Sequence, residues 1–190
     1  MQRLIQSVLV GLMVLGGAGR LSAQDAQDGG GGLGGFLDWL HKLSGPRFVG
    51  AGLTAFYTVP GEAGIRLRLS GVYRTSISES GEVTPADGNI TMISVQPAVE
   101  FPVQKIPIDF GVGFALHRFG GDAAGFWHYS VPIYVQFRPR GAGRVTPLLG
   151  VGVHIFPKFD QADFAPLAVT VSRVDSEAVL QLFAGLTIRL

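Results

Sequence analysis

Cysteine is absent from all 190 residues, so no disulfide framework holds the chain together. Charge is scarce too: 15% of residues are Asp, Glu, Lys or Arg, against about 25% in an ordinary soluble domain. The net balance of +1 excludes the strong basic footprint of a general nucleic-acid binder. Beyond the first 25 residues no stretch reaches the ~20 apolar residues that a membrane-spanning helix needs. Also missing are a Walker loop, zinc-finger spacing, a nucleophile elbow and a dinucleotide fingerprint. The Gly-x-Gly pairs that do occur sit inside apolar runs, where glycine makes room or permits bending.

What the chain has instead is apolar surface in short pieces. Hydrophobic residues make up 47%, with 28 glycines and 13 phenylalanines, the distribution expected of a membrane barrel. Arg3 precedes an apolar run from Leu4 to Leu15, and Leu21-Ser22-Ala23 offers a cleavage point, so residues 1–23 are expected to be a secretory signal peptide. Residues 24–35, QDAQDGGGGLGG, read as a flexible Gly-rich linker. In 36–46, Phe36, Leu40 and Leu43 share a helical face and Gly45-Pro46 closes the segment. This predicts a short amphipathic helix, on the membrane surface, plugging one end of a barrel, or packed as an ordinary helix.

From residue 47 to the end the period is two, and the expected domain is a β-barrel over 47–190. Eight strands are expected, at 47–59, 64–75, 89–103, 107–119, 126–138, 144–156, 164–174 and 178–190. Turn signals separate them, among them Pro60-Gly61, Ala86-Asp87-Gly88, Gly120-Gly121-Asp122 and Arg140-Gly141-Ala142-Gly143. Strands of this length suit a tilted crossing of a bilayer. One face is apolar throughout, as in Leu53 and Tyr57, Leu67 and Leu69, Val95, Phe101, Phe110, Phe114, Trp127, Val135, Val151 and Ile155. The other face carries Arg66, Arg68, Arg74, Gln96, Glu100, Asp109, Ser130 and Gln136, with glycines between them. A soluble barrel needs its oil inside; charge on one face and unbroken apolar residues on the other predict oil outside and a polar lumen. The fold class expected is all-β: an eight-stranded antiparallel up-and-down transmembrane β-barrel with a short N-terminal amphipathic helix.

The last strand, AVLQLFAGLTIRL (178–190), alternates to the final Leu190, with Gly185, Ile188 and Leu190 in the pattern of a C-terminal outer-membrane barrel signal. The runs 95–114 and 131–153 echo one another as strand, short turn and Gly-Val-Gly strand. With these features the chain resembles small outer-membrane β-barrel proteins of the OmpA/OmpX-like, porin-like superfamily. The resemblance implies location in the outer membrane of a Gram-negative-type bacterium and contact with outer-membrane lipid. It also implies recognition of the last strand by the barrel-assembly machinery, and no cofactor. Eight strands leave an interior that side chains nearly fill, so the expected role is structural, interacting or small-ligand-binding in the envelope, not that of a general pore or an enzyme. Counting strands back from Leu190, however, puts the longest connections (76–88, 120–125, 157–163) at the periplasmic end, where such barrels have short turns.

Three constellations on the polar face invite chemistry. If the turns close symmetrically, His117 lies opposite His128 and His128 opposite His154. This rim row could share a transition metal or respond to pH. His128 and Ser130, two apart on one face, resemble the catalytic pair of outer-membrane lipid A deacylases, which would make the chain a hydrolase with His128 as base and Ser130 as nucleophile. Val131 stands where that family has Asn, and no Glu follows in the next strand. At the other end Arg66, Glu100, Asp109 and Arg138 are expected to form a lumen network, since a buried charge needs a partner. A third class, a soluble periplasmic lipocalin-like binding barrel, would require the apolar face to be the inside.

Overall fold

A computed structural model of the chain describes residues 30–41, 47–60, 64–77, 90–103, 106–120, 125–139, 143–157 and 177–190. Their alternation is sterically literal: Arg66, Ser70, Val72, Arg74 and Ser76 are buried while Leu67, Leu69, Gly71 and Tyr73 between them are exposed. The strands are β1 (Gly31–His41), β2 (Arg47–Thr58), β3 (Arg66–Ser76), β4 (Thr91–Pro102), β5 (Ile108–Gly113), β6 (Ala115–Gly120), β7 (Gly125–Phe137), β8 (Val145–Phe156) and β9 (Glu177–Arg189). Each pairs antiparallel with its neighbours, and β1 pairs with β9 from Gly32↔Arg189 to His41↔Leu180, so the sheet closes on itself.

β5 and β6 are two halves of one crossing, which makes eight staves. Gly113 lies opposite Ala98 and Leu116 opposite Val95, so the register against β4 runs on unshifted. That count places Phe114 opposite Pro97, which has no N–H to return, although the Phe114 N–H still donates to the Pro97 carbonyl at 3.0 Å. On the β7 side the same count sets Gly113 opposite Pro132. The ladder is interrupted where two prolines flank one residue pair, not by a bulge.

Two expectations are corrected. Residues 36–41, assigned to a helix, belong to β1, as do 31–35 of the expected linker; 42–46 and 24–29 lie outside the described residues, like the signal segment. Phe36 and Leu40 do share a face, but it is a strand face that Asp38 shares with them. The glycines are structural: a Cβ on Gly32 would stand 2.2 Å from Phe56 Cζ, and one on Gly34 2.7 Å from the Leu186 carbonyl oxygen. The strand expected at 164–174 also lies outside the described residues. Among the described strands, β8 pairs directly with β9 along Val145–Phe156, and the other edge of β9 is held by β1.

With β1 included the described strands make eight crossings, and every connection before β9 lies at the end opposite to the one expected. The connections 59–65, 103–107 and 138–144 now share one end with Leu190, and the longest, 77–90 and 157–176, share the other. That is the outer-membrane arrangement of short turns at the periplasmic end. Gly64 and Gly143, in two of the short turns, take left-handed φ values of 56° and 49°.

Glycines in the wall differ sharply in what surrounds them. A Cβ on Gly50 would lie 1.9 Å from the Tyr73 carbonyl oxygen, a backbone atom that cannot yield, whereas one on Gly71 meets nothing within 4 Å. Gly50→Ala is therefore expected to destabilise the folded barrel by about 1–3 kcal/mol, and Gly71→Ala to be neutral within about 0.5 kcal/mol. Urea unfolding in detergent, followed by the loss of the compact gel form, checks both; equal midpoints for the two variants would contradict the register.

Candidate functional site

The site that this architecture builds is the lumen, and its contents change in tiers. At the end away from the termini, Leu40, Phe48, Ile90, Met92, Phe119 and Phe156 form an apolar plug inside the barrel. Each stands within three residues of the end of its strand at that side, so the plug caps the interior where the long connections emerge.

Beneath it runs a buried polar chain. Arg74, wholly buried, is ion-paired through Nε with Asp38 Oδ1, and Gln181 Nε2 donates to the other Asp38 oxygen at 2.5 Å. Arg74 Nη1 donates to Ser94 Oγ at 2.7 Å, Ser94 Oγ meets His117 Nδ1 at 2.8 Å, His117 Nε2 meets Ser130 Oγ at 2.7 Å, and Ser130 Oγ meets His154 Nδ1 at 2.8 Å. The Arg74 guanidinium can only donate, so Ser94 accepts from it; the donor and acceptor roles beyond Ser94 follow the tautomers of the two histidines.

A middle tier packs aromatic rings over glycines. Phe36, Tyr134 and Phe183 meet edge to face, with Phe36–Phe183 centroids 6.1 Å apart and Tyr134–Phe183 centroids 5.7 Å apart. Each ring covers a glycine of a neighbouring strand, Gly52, Gly111 and Gly150 respectively, at distances that leave no room for a Cβ. The space left among Arg68, Gln96, Tyr134 and Gln181 is about that of one water molecule.

At the terminal end the charges converge. Arg66 Nη1 lies 3.5 Å from Glu100 Oε2 and 4.0 Å from Asp109 Oδ2, and Arg138 Nη2 lies 2.9 Å from the same Asp109 oxygen. Arg68 joins them, 3.2 Å from Glu100 Oε1 and 3.0 Å from Gln136 Oε1, while Tyr134 donates to Glu100 at 3.0 Å and Gln136 Nε2 to Asp109 at 3.2 Å. Arg66 also stacks over Phe56, 4.4 Å from its centroid.

The residues singled out from sequence thus fall in different places. Arg66, Glu100, Asp109 and Arg138 come together. His117 does lie opposite His128, but His154 lies opposite Pro132, so there is no row of three. Symmetric closure of the 139–143 turn would set Phe137 opposite Val145; the barrel sets it opposite Leu149, four residues on, because a closed barrel is staggered. His117 and His154 meet instead through Ser130 inside the lumen, and among the described residues no cluster of three or more His, Asp or Glu side chains has metal-binding geometry. His128 is half-buried at the rim, its Nδ1 against the Tyr129 backbone, and Ser130 is fully buried between the other two histidines. Ser94, Asp38 and Gln181 were not singled out. Asp38 was hidden by the helical reading of β1, and Ser94 and Gln181 carried only the signal of an inward strand position.

No protein-family model and no curated protein matches the sequence. Among solved structures, the chain is similar to Neisserial surface protein A, with a TM-score of 0.54 and 12% identity over 85% of this chain and 97% of that one. Ail, the attachment invasion locus protein of Yersinia pestis, is similar at 14% identity and a TM-score of 0.44 in its complex with the heparin analogue sucrose octasulfate. Without that compound it is similar at 15% identity and 0.40; both Ail structures cover the same shares of the two chains. The first of these likenesses shows the fold, that of a small outer-membrane β-barrel.

Asp38 and Arg74 have no exposure, so removing either strands a charge in the lumen. Asp38→Ala is expected to cost about 3–5 kcal/mol, and the pair Asp38→Leu with Arg74→Met substantially less than Asp38→Ala alone. Denaturant midpoints of the refolded barrels measure both. A double variant as unstable as the single one would mean that the pair does not carry the coupling.

Proposed function

We propose that the chain is an integral outer-membrane protein of a Gram-negative-type bacterium, whose filled barrel is a rigid anchor with a structural or interaction role in the envelope. One observation carries this reading: the polarity of the barrel is inverted. Leu53 is 71% exposed and Trp127 58%, while Arg74 and Glu100 are 0% and 1% exposed. Only a surrounding of hydrocarbon makes that arrangement favourable. Exposed aromatic residues bracket the band, with Tyr73, Trp127 and Tyr129 toward the outer end and Tyr57, Phe101, Phe110 and Phe137 toward the terminal end. Ten residues of β7 separate Trp127 from Phe137. At ~3.4 Å per residue and a tilt of ~40° they span roughly 26 Å, close to the apolar height of outer-membrane barrels.

The packed lumen and its apolar plug argue against a diffusion pore. What is left to interact is the lipid-facing wall and the rim where 77–90 and 157–176 connect the strands. Recognition of β9 by the assembly machinery fits the same reading, since β9 is the strand that must meet β1 to close the wall. The hydrolase reading loses support from position: Ser130 faces the sealed lumen and is held by His117 and His154, out of reach of an acyl chain. The lipocalin reading would need Arg66, Arg74, Glu100 and Asp109 to line an apolar ligand cavity.

The test is heat-modifiability. The protein is expected in the detergent-extracted membrane fraction, migrating faster unboiled than boiled on a denaturing gel. Recovery as a soluble protein with no mobility shift would overturn the proposal.

A further inference from the structure

Every carboxylate whose side chain is described, Asp38, Glu100 and Asp109, faces the lumen. The lipid-facing wall nevertheless carries a charge near the outer end of its apolar surface. Arg118 is exposed on β6, in a lateral row with Ile93 of β4 and Trp127 of β7, both of which are more than half exposed. Leu116, two residues along, is exposed as well. The guanidinium carbon stands 5.7 Å from the Trp127 ring centroid, and among the described side chains it has no ion-pair partner.

A guanidinium amid hydrocarbon is costly unless an anion reaches it, and an indole face supplies only part of the compensation. The height is also telling: Arg118 is two residues from the end of β6 and level with Trp127, in the aromatic belt where headgroups begin. Resting on the outer-membrane reading above, we propose that Arg118, oriented by Trp127, is a binding site for a phosphate-bearing headgroup of an outer-leaflet membrane lipid. The planar fork offers two parallel N–H donors to phosphate oxygens, and the indole holds the fork's plane along the wall. The lipid's acyl chains would lie on Ile93 and Leu116.

The experiment uses tryptophan fluorescence of the full chain carrying Trp39→Phe, which leaves Trp127 as the single indole. The protein is reconstituted in phosphatidylcholine vesicles containing a minor fraction of one lipid brominated near the headgroup, either phosphatidic acid or phosphatidylcholine. Brominated phosphatidic acid is expected to quench Trp127 roughly three- to fivefold more effectively, the upper range of an exposed ion pair. Arg118→Gln is expected to make the two lipids equal, and Arg118→Lys to retain part of the preference. Quenching by brominated phosphatidylcholine shows in each variant that the barrel has inserted. Equal quenching by the two lipids with Arg118 present, or a preference that survives Arg118→Gln, overturns the site while leaving the membrane barrel intact. No quenching by either lipid overturns both readings together.

Discussion

Within hydrocarbon no water can satisfy a backbone amide, so a sheet in that solvent has to close. The pairing of β1 with β9 is the contact on which the rest depends. Ten residue pairs, Gly32↔Arg189 to His41↔Leu180, remove the last two edges. The composition of β1 follows from that duty. It is squeezed between β2 and β9, and its inward Gly32 and Gly34 stand where Phe56 and the β9 backbone already fill the lumen. Bulk is then restored within the strand, because Phe36 and Leu40 supply side chains to the middle tier and the plug.

Closure also dictates what fills the interior. A small barrel exposes one face to lipid, and the residues between must turn inward into a space barely wide enough for side chains. Charges there survive only as networks. Arg66, Arg68 and Arg138 share Glu100 and Asp109, with Tyr134 and Gln136 taking remaining oxygens. Such pairs contribute little net stability over well-packed apolar residues, but they penalise a slipped register heavily. A two-residue slip of β3 would keep Arg74 inward but remove it from Asp38 and Ser94 together. The hydrogen-bonded chain through His117, Ser130 and His154 acts in the same way, tying β3, β4, β6, β7 and β8 to one mutual stagger.

The wall from β2 to β9 was legible because its large residues alternate strictly; seven of the eight expected strands match observed crossings to within about two residues at each end. β1 was not, for a geometric reason. Phe36 and Leu40 are four apart, an even spacing that suits a strand face and nearly one turn of a helix, while the preceding glycines carry no hydropathy signal. The inner-end network was legible because Arg66, Glu100, Asp109 and Arg138 lie near short turns, where little stagger accumulates. The histidines were not, since a four-residue offset between β7 and β8 separates His128 from His154 and brings His154 to Ser130. That offset belongs to the closed barrel as a whole and has no local signature.

The two interrupting prolines show how the wall divides its labour. Pro97 and Pro132 sit in neighbouring staves on either side of Gly113–Phe114, and each withholds one N–H from mid-wall. In a lipid-exposed sheet an unpaired carbonyl is expensive, yet the cost is confined to one crossing whose flanking registers are unbroken. Pro97 is exposed to lipid while Pro132 is buried and borders the small central space beside Tyr134 and Gln181. The irregularity therefore coincides in height with a water-sized space in the lumen, between the buried polar chain and the terminal-end charges. Above it, the plug and the Arg74–Asp38 pair fix the outer half; below it, the arginine network fixes the inner half. Each half is registered by its own side chains, which is why the strand through Phe114 can lose a ladder bond on both sides and still keep one continuous count from Ile108 to Gly120.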